Sequence, residues 1–223
     1  MKKLHPGDSD LDRQLSRAER RFLAGLTTPP RVQAFLDTIA YSTDPIYRCP
    51  LRVIRERTAH CFDAAVFAAA ALRRAGHPPL ILELLPNAPD DDHLLALFRR
   101  NGRWGAVAKS NFAGLRYREP VYRTLRELAL SFFEQYYNVA RRKTLRGYTA
   151  PLRLGSFDRE GWTVRDEPLW LIADRLDRVR RVVLVTPRMA AGFCPVDERS
   201  YKAGLLGSVD AGLYRPRGRR ESR

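Results

Sequence analysis

The dipeptide Asn101-Gly102 constrains this chain more than any other feature. Both central positions of a type I′ turn require positive φ, and asparagine followed by glycine is the pair that meets this demand at least cost. Apolar runs lie on either side, at 94–100 and 103–109. A two-residue turn here predicts an antiparallel hairpin in which Arg100 faces Arg103. Counting back along both arms, His93 faces Ser110 and shares a sheet face with it.

The preceding block is helical in character. Cys61, Ala65, Ala68, Ala69 and Leu72 follow Thr58, and Gly76 with His77-Pro78-Pro79 ends the run. Thr58 is the expected N-cap, which puts Cys61 at the third helical position, and the glycine supplies the stop. So many alanines predict a buried helix that its neighbours approach closely. Residues 80–85 read as a strand, 86–92 as an acidic loop, and His93 opens the next strand.

Elsewhere the patterning is mostly helical. Leu11, Leu15, Ala18, Phe22 and Leu26 predict one amphipathic helix over 10–26, and Thr28-Pro29 starts a second that runs to Tyr41. Residues 42–50 and 114–122 read as loops. Thr124 and Glu127 have capping-box spacing and lead into Leu128, Phe132, Phe133 and Tyr136, a long helix ending near Arg142. A helix is expected at 168–179 and a strand at 182–186. The expected architecture is therefore α+β: a cysteine-bearing helix packed on a small antiparallel sheet, with further helices before and after. It forms a single domain over 1–206, with its core at about 45–150. Residues 207–223, rich in glycine and arginine, are expected to be a frayed basic tail.

Composition limits the partners. The formal net charge is +15 and the pI about 10.4, which favours polyanions through a salt-sensitive field. The arginines are spread along the chain, except for Arg215, Arg217, Arg219, Arg220 and Arg223 in the tail, and no zinc-finger, helix-turn-helix or RNA-binding signature accompanies them. A weak polyanion contact through the tail is the expectation. No apolar run approaches the roughly 20 residues that span a bilayer, so no membrane partner is expected. Cys49, Cys61 and Cys194 lack C-x-x-C spacing and are odd in number, which suits a reducing, cytoplasmic setting. Oligomeric state leaves no signature.

Chemistry concentrates in the centre. A thiol at a helix start is pushed toward thiolate by unpaired N–H groups, and a histidine within reach can take its proton while a third polar group fixes the ring. Cys61 and His93 are the candidate nucleophile and base. Ser110 is the third group by hairpin register; Asn111 has the better acceptor for an imidazole N–H, and a bulge would turn it inward. His60 points about 100° away from Cys61 along the helix and is a poor base for it. With no i, i+4 histidine pair and no paired cysteines, neither a metal nor a cofactor is expected. Arg116 and Arg118 follow the site and can clamp a carboxylate or phosphate on a substrate.

The segments Ala59-His60-Cys61-Phe62-Asp63-Ala64-Ala65, Leu72 to Pro79, Asp92-His93 and Gly102-Arg103-Trp104-Gly105 together resemble the transglutaminase-like family of the papain-like thiol enzymes. The resemblance covers about 58–112. It implies a papain-like core, Cys61 as nucleophile, His93 as general base and acid, Trp104 on the strand beside the substrate, and acyl transfer or amide hydrolysis through a thioester. A peptide-like or amide substrate would then be the partner. The family's third catalytic group stands four residues after the tryptophan, where this chain has Ala108. Family members without activity also exist, so the resemblance equally implies a silent binding or scaffold domain, for instance for an anionic partner.

Overall fold

The computed structural model describes residues 6–88 and 90–215. Two helices replace the one expected at the start, α1 (Pro6–Gln14) and α2 (Arg17–Ala24). The break is chemical: the Ser16 hydroxyl accepts from the Glu19 N–H while the Glu19 carboxylate takes the Ser16 N–H, so a capping box interrupts the apolar periodicity. Helix α3 (Pro29–Thr38) is shorter than expected, because residues 40–41 form β1 (Ala40–Tyr41) against β2 (Thr58–Ala59). Between these strands lies α4 (Pro50–Glu56), ended by Arg57 in the left-handed region at φ 54°.

Helix α5 (Cys61–Arg74) is the central buried element, with ten of its residues from Phe62 to Ala71 at 5% exposure or less. It lies against a seven-stranded sheet. The strands are β3 (Leu80–Pro86), β4 (His93–Arg100), β5 (Arg103–Val107), β6 (Arg118–Tyr122), β7 (Leu145–Thr149), β8 (Leu152–Arg153) and β9 (Arg181–Val183). Their order is β6-β5-β4-β3-β7-β9, with β8 also paired to β3, and every pairing is antiparallel. Asn101 and Gly102 sit at φ 51° and 74°, and Arg100 pairs with Arg103 as the turn chemistry requires.

The sheet is buried on both faces. Leu94, Ala96 and Phe98 of β4 face α5, α3 and α4, whereas Leu95 and Leu97 face Phe132 and Tyr136 beyond α6 (Leu125–Leu130). This two-sided burial explains the unbroken apolar run in β4. Helix α6 is one and a half turns long rather than the long helix expected. The Ser131 hydroxyl turns back to the Leu128 carbonyl, and Asn138 accepts from the N–H groups of Ala140 and Arg142, which bends the chain toward β7. Helices α7 (Glu167–Asp177), α8 (Pro187–Ala190) and α9 (Glu198–Gly204) complete the chain. Residues 207–215 do not fray from Gly207 onward: Val209 is held on Asn111, and a short 3-10 turn at 210–212 packs by Tyr41. The remainder of the expected tail, 216–223, lies outside the described residues.

Candidate active site

Cys61 is the first residue of α5, not the third, and the cap is His60 rather than Thr58, which is spent on β2. His60 Nδ1 accepts from the Phe62 N–H at 3.1 Å and its Nε2–H reaches the Ile46 carbonyl at 3.2 Å. Both ring nitrogens are thus employed in holding the helix start, which removes His60 as a base. Asp63 answers as the third helical residue: one carboxylate oxygen takes the His60 N–H and the other the Arg48 N–H at 2.8 Å. Burial first, against those hydrogen bonds and the Arg48 charge, brings the Asp63 carboxyl up to about 7.

The half-buried sulfur of Cys61 lies against the backbone of the incoming strand, 4.0 Å from the Asp92 carbonyl and beside the Leu94 N–H. Burial pushes its thiol well above the ordinary range, and the negative charges of Asp92 and Asp91 add to the effect; the Leu94 contact opposes them. In the resting protein Cys61 is a thiol, not a thiolate. The helix start is too weak a field to overcome three nearby carboxylates and desolvation together.

His93 is buried at 3% exposure and packs edge-on to Phe132 and Tyr136, the face of β4 opposite α5. His93 and Cys61 both line one small cavity of about 50 Å³, together with Ser110, Asn111 and Tyr214. The ring's fixed partner is one that sequence reasoning did not find: Nε2 lies 2.8 Å from the Leu115 carbonyl. A carbonyl only accepts, so Nε2 carries the proton and Nδ1 carries the lone pair. Burial first, with the charge of Arg118, brings His93 down to about 4 despite that bond. No signal in a lone leucine announces a backbone orienter.

The two candidates for the third group are engaged elsewhere. Asn111 is tied to Val209 by a reciprocal pair, Nδ2–H to the carbonyl and the Val209 N–H to Oδ1, each 2.7 Å. The Ser110 hydroxyl accepts from the Phe112 N–H at 3.0 Å. The hairpin does not continue far enough to set Ser110 opposite His93, and the cause lies in α3. The buried Gln33 amide bonds both the N–H and the carbonyl of Ala108, and the Lys109 ammonium caps the carbonyls of Leu36 and Ile39 at 2.8 Å each. These bonds pull the chain off β4 immediately after Val107.

The residues expected to contact substrate have other partners. Trp104 stacks under the Arg99 guanidinium at 4.8 Å and pairs across to Tyr122, lining neither this cavity nor the one beside it. Arg116 forms an ion pair with Asp37. Arg118 is consumed by Ser131, Gly114 and Gln135 and lies 3.9 Å over the Phe132 ring.

A second cavity of about 490 Å³ opens from the sulfur toward Tyr47, Asp177 and Glu83. Among the described residues no group of three His, Cys, Asp or Glu side chains is arranged to hold a metal ion, and no helix is long and apolar enough to cross a membrane.

No family model matches the sequence. No curated protein matches it either. Among solved structures, the chain is similar to Legionella pneumophila LapG at 13% identity and a TM-score of 0.38, covering 70% of this chain and 90% of that one. An EGTA-treated form of the same protein gives 14% identity and the same TM-score, over 70% of this chain and 91% of that one. Superpositions this loose transfer no residue roles, and what stands is an α+β chain with a capped cysteine helix against an antiparallel sheet.

Proposed function

We propose that Cys61 is the nucleophile, and His93 the base, of a thiol-dependent acyl transfer or amide hydrolysis on a peptide-like or amide substrate, carried on a papain-like or transglutaminase-like core. The observation that carries this reading is the state of the imidazole. His93 lines the same cavity as Cys61, and its Nε2 is committed to Leu115, so Nδ1 is the ring's basic atom. The thiol and imidazole are both neutral at rest. Proton transfer therefore accompanies attack. As the sulfur bonds to the carbonyl carbon, its proton passes to Nδ1 and the carbonyl electron pair moves onto oxygen. His60 occupies the Phe62 N–H, leaving the N–H of Cys61 itself to meet that oxyanion. Collapse expels the amine, which takes the proton from Nδ1, and water or a second amine then resolves the thioester.

The surroundings of the sulfur favour a second reading, a catalytically silent domain that binds its partner without turning it over. Sγ meets strand backbone and carboxylates, and the His93 ring leaves β4 on the face away from α5. A pulse of p-nitrophenyl acetate followed by mass spectrometry separates the two. An enzyme acquires an acetyl group on Cys61 that is absent in Cys61→Ser and forms about a hundredfold more slowly in His93→Gln. A silent domain gives no acetyl-Cys61 above that of a free thiol.

A further inference from the structure

The larger cavity beside Cys61 contradicts the composition of the chain. Lysine and arginine number 40 against 25 acidic residues, yet among the described residues the cavity is lined by Asp44, Glu83, Asp91, Asp92 and Asp177 and by no lysine or arginine. Its one histidine, His60, is the helix cap, and burial holds it in the neutral form. Asp44 is answered by Arg48 and Asp177 by Arg181, whose charge also reaches Glu83, so the acids with no ion pair of their own among the described residues are Glu83, Asp91 and Asp92. Among the described residues the Asp91 carboxylate accepts the N–H of Asp92, and the Asp92 carboxyl meets that of Glu83.

Glu83 is the decisive group. It stands directly across the ladder from Leu94, so its side chain lies on the α5 face, in the cavity that Cys61 also lines. It is 6% exposed, and its Oε2 has no hydrogen-bond partner among the described residues. Its carboxyl neighbour is that of Asp92. Burial first, and then contact with that second acid, holds Glu83 well above the usual carboxylate range. That Oε2 is a buried acceptor which a donor entering the cavity can meet. Tyr47, stacked on Phe62 at 4.3 Å and tilted against Trp170 at 4.4 Å, gives the cavity an aromatic wall, and Tyr214 also lines it. The carboxylates are spread around about 490 Å³ and do not converge on a point, a geometry suited to a delocalised organic cation and unsuited to a metal ion.

We propose that this cavity is a binding subsite for a guanidinium or ammonium group, with the Glu83–Asp92 carboxyl pair as its acceptor and Tyr47 as its wall. A planar guanidinium donates to both acids at once and slides its face along the ring. Binding drives the shared proton off the pair. The subsite stands whether or not Cys61 performs chemistry. If it does, the cation belongs to a basic residue next to the attacked amide.

The test uses full-length protein carrying Cys61→Ser, so that no acyl chemistry intrudes, and calorimetric titration with n-butylguanidinium and its neutral isostere n-butylurea. The guanidinium binds at least about tenfold more tightly, with heat that depends on buffer ionisation because a proton is released. Glu83→Gln weakens it about tenfold. Asp92→Asn, at an exposed loop position that does not threaten the fold, does the same. Acetyl-Ala-Arg-Ala-amide against its citrulline counterpart shows the source: a tenfold preference for arginine tighter than the free cation marks a peptide side chain, and a peptide weaker than n-butylguanidinium marks a free organic cation. Equal affinity for urea and guanidinium, indifference to both substitutions, or binding of calcium chloride with none of n-butylguanidinium would overturn the proposal.

Discussion

Replacing Asn111 by alanine removes a clasp rather than a catalytic group. Its amide makes two 2.7 Å hydrogen bonds to the backbone of Val209, and at 7% exposure it makes them largely out of water. Each such bond contributes about 1 kcal/mol net, so the variant loosens the segment at 207–215 by about 2 kcal/mol, or about thirtyfold in its local opening equilibrium. Gly212 packs against Tyr41 and the Asn111 amide, and Gly212, Leu213 and Tyr214 line the cavities at Cys61, so the loosening exposes the sulfur. Amide exchange followed by mass spectrometry reads this directly. Protection across 205–215 falls about thirtyfold while β3 and β4 are unchanged, and iodoacetamide labels Cys61 faster than in the parent protein. Unchanged exchange would refute the clasp. Slower acylation of Cys61 with unchanged exchange would instead return Asn111 to the catalytic set.

Three further outcomes follow from the geometry. His93 accepts a proton only near pH 4 in the fold but near about 6.5 in the unfolded chain, so the unfolded state binds more protons between those values. Its stability contribution is complete above about pH 6.5 and falls by about 3 kcal/mol toward pH 4; urea melts show this slope, and His93→Gln flattens it. A methyl at position 105 would meet the Phe98 ring and, at 2.8 Å, the Arg118 carbonyl, so Gly105→Ala costs about 1 to 3 kcal/mol in the same assay. n-Butylguanidinium in the acidic cavity offsets the charges of Asp92 and Asp91 that raise the Cys61 thiol, and it accelerates iodoacetamide labelling at pH 8 at least about fivefold; a neutral isostere does not.

The parts of the fold set by local chemistry were legible in advance. Asn101-Gly102 fixed the hairpin and its register, the alanine run marked the buried helix, and Thr124 marked a true helix start. What escaped depends on partners distant in sequence. Gln33 and Lys109, more than seventy residues from one partner to the other, end the hairpin at Val107 and so defeat the reasoning that favoured Ser110. Thr58 reads as a cap because threonine is a favoured N-cap residue; His60, two residues on, takes the role with Nδ1, while its Nε2 anchors the ring on Ile46. Arg116 and Arg118 read as substrate clamps because sequence shows charge but not the Asp37 and Ser131 that consume it. Leu115 contributes only a carbonyl, which every residue has. The acidic cavity is split between β3 and the loop before β4, with Asp177 far downstream, so in sequence Asp91 and Asp92 read only as part of an acidic loop.

The central claim is cooperation between sulfur and imidazole across the small cavity, and the pH dependence of Cys61 acetylation by p-nitrophenyl acetate tests it most directly. With His93 Nδ1 as base, the rate rises as the ring loses its proton near pH 4 and levels off by about pH 6, while in His93→Gln the plateau vanishes and the rate climbs with hydroxide. A parent protein whose rate climbs with hydroxide from pH 5 to 9, superimposable on that of His93→Gln, would contradict it.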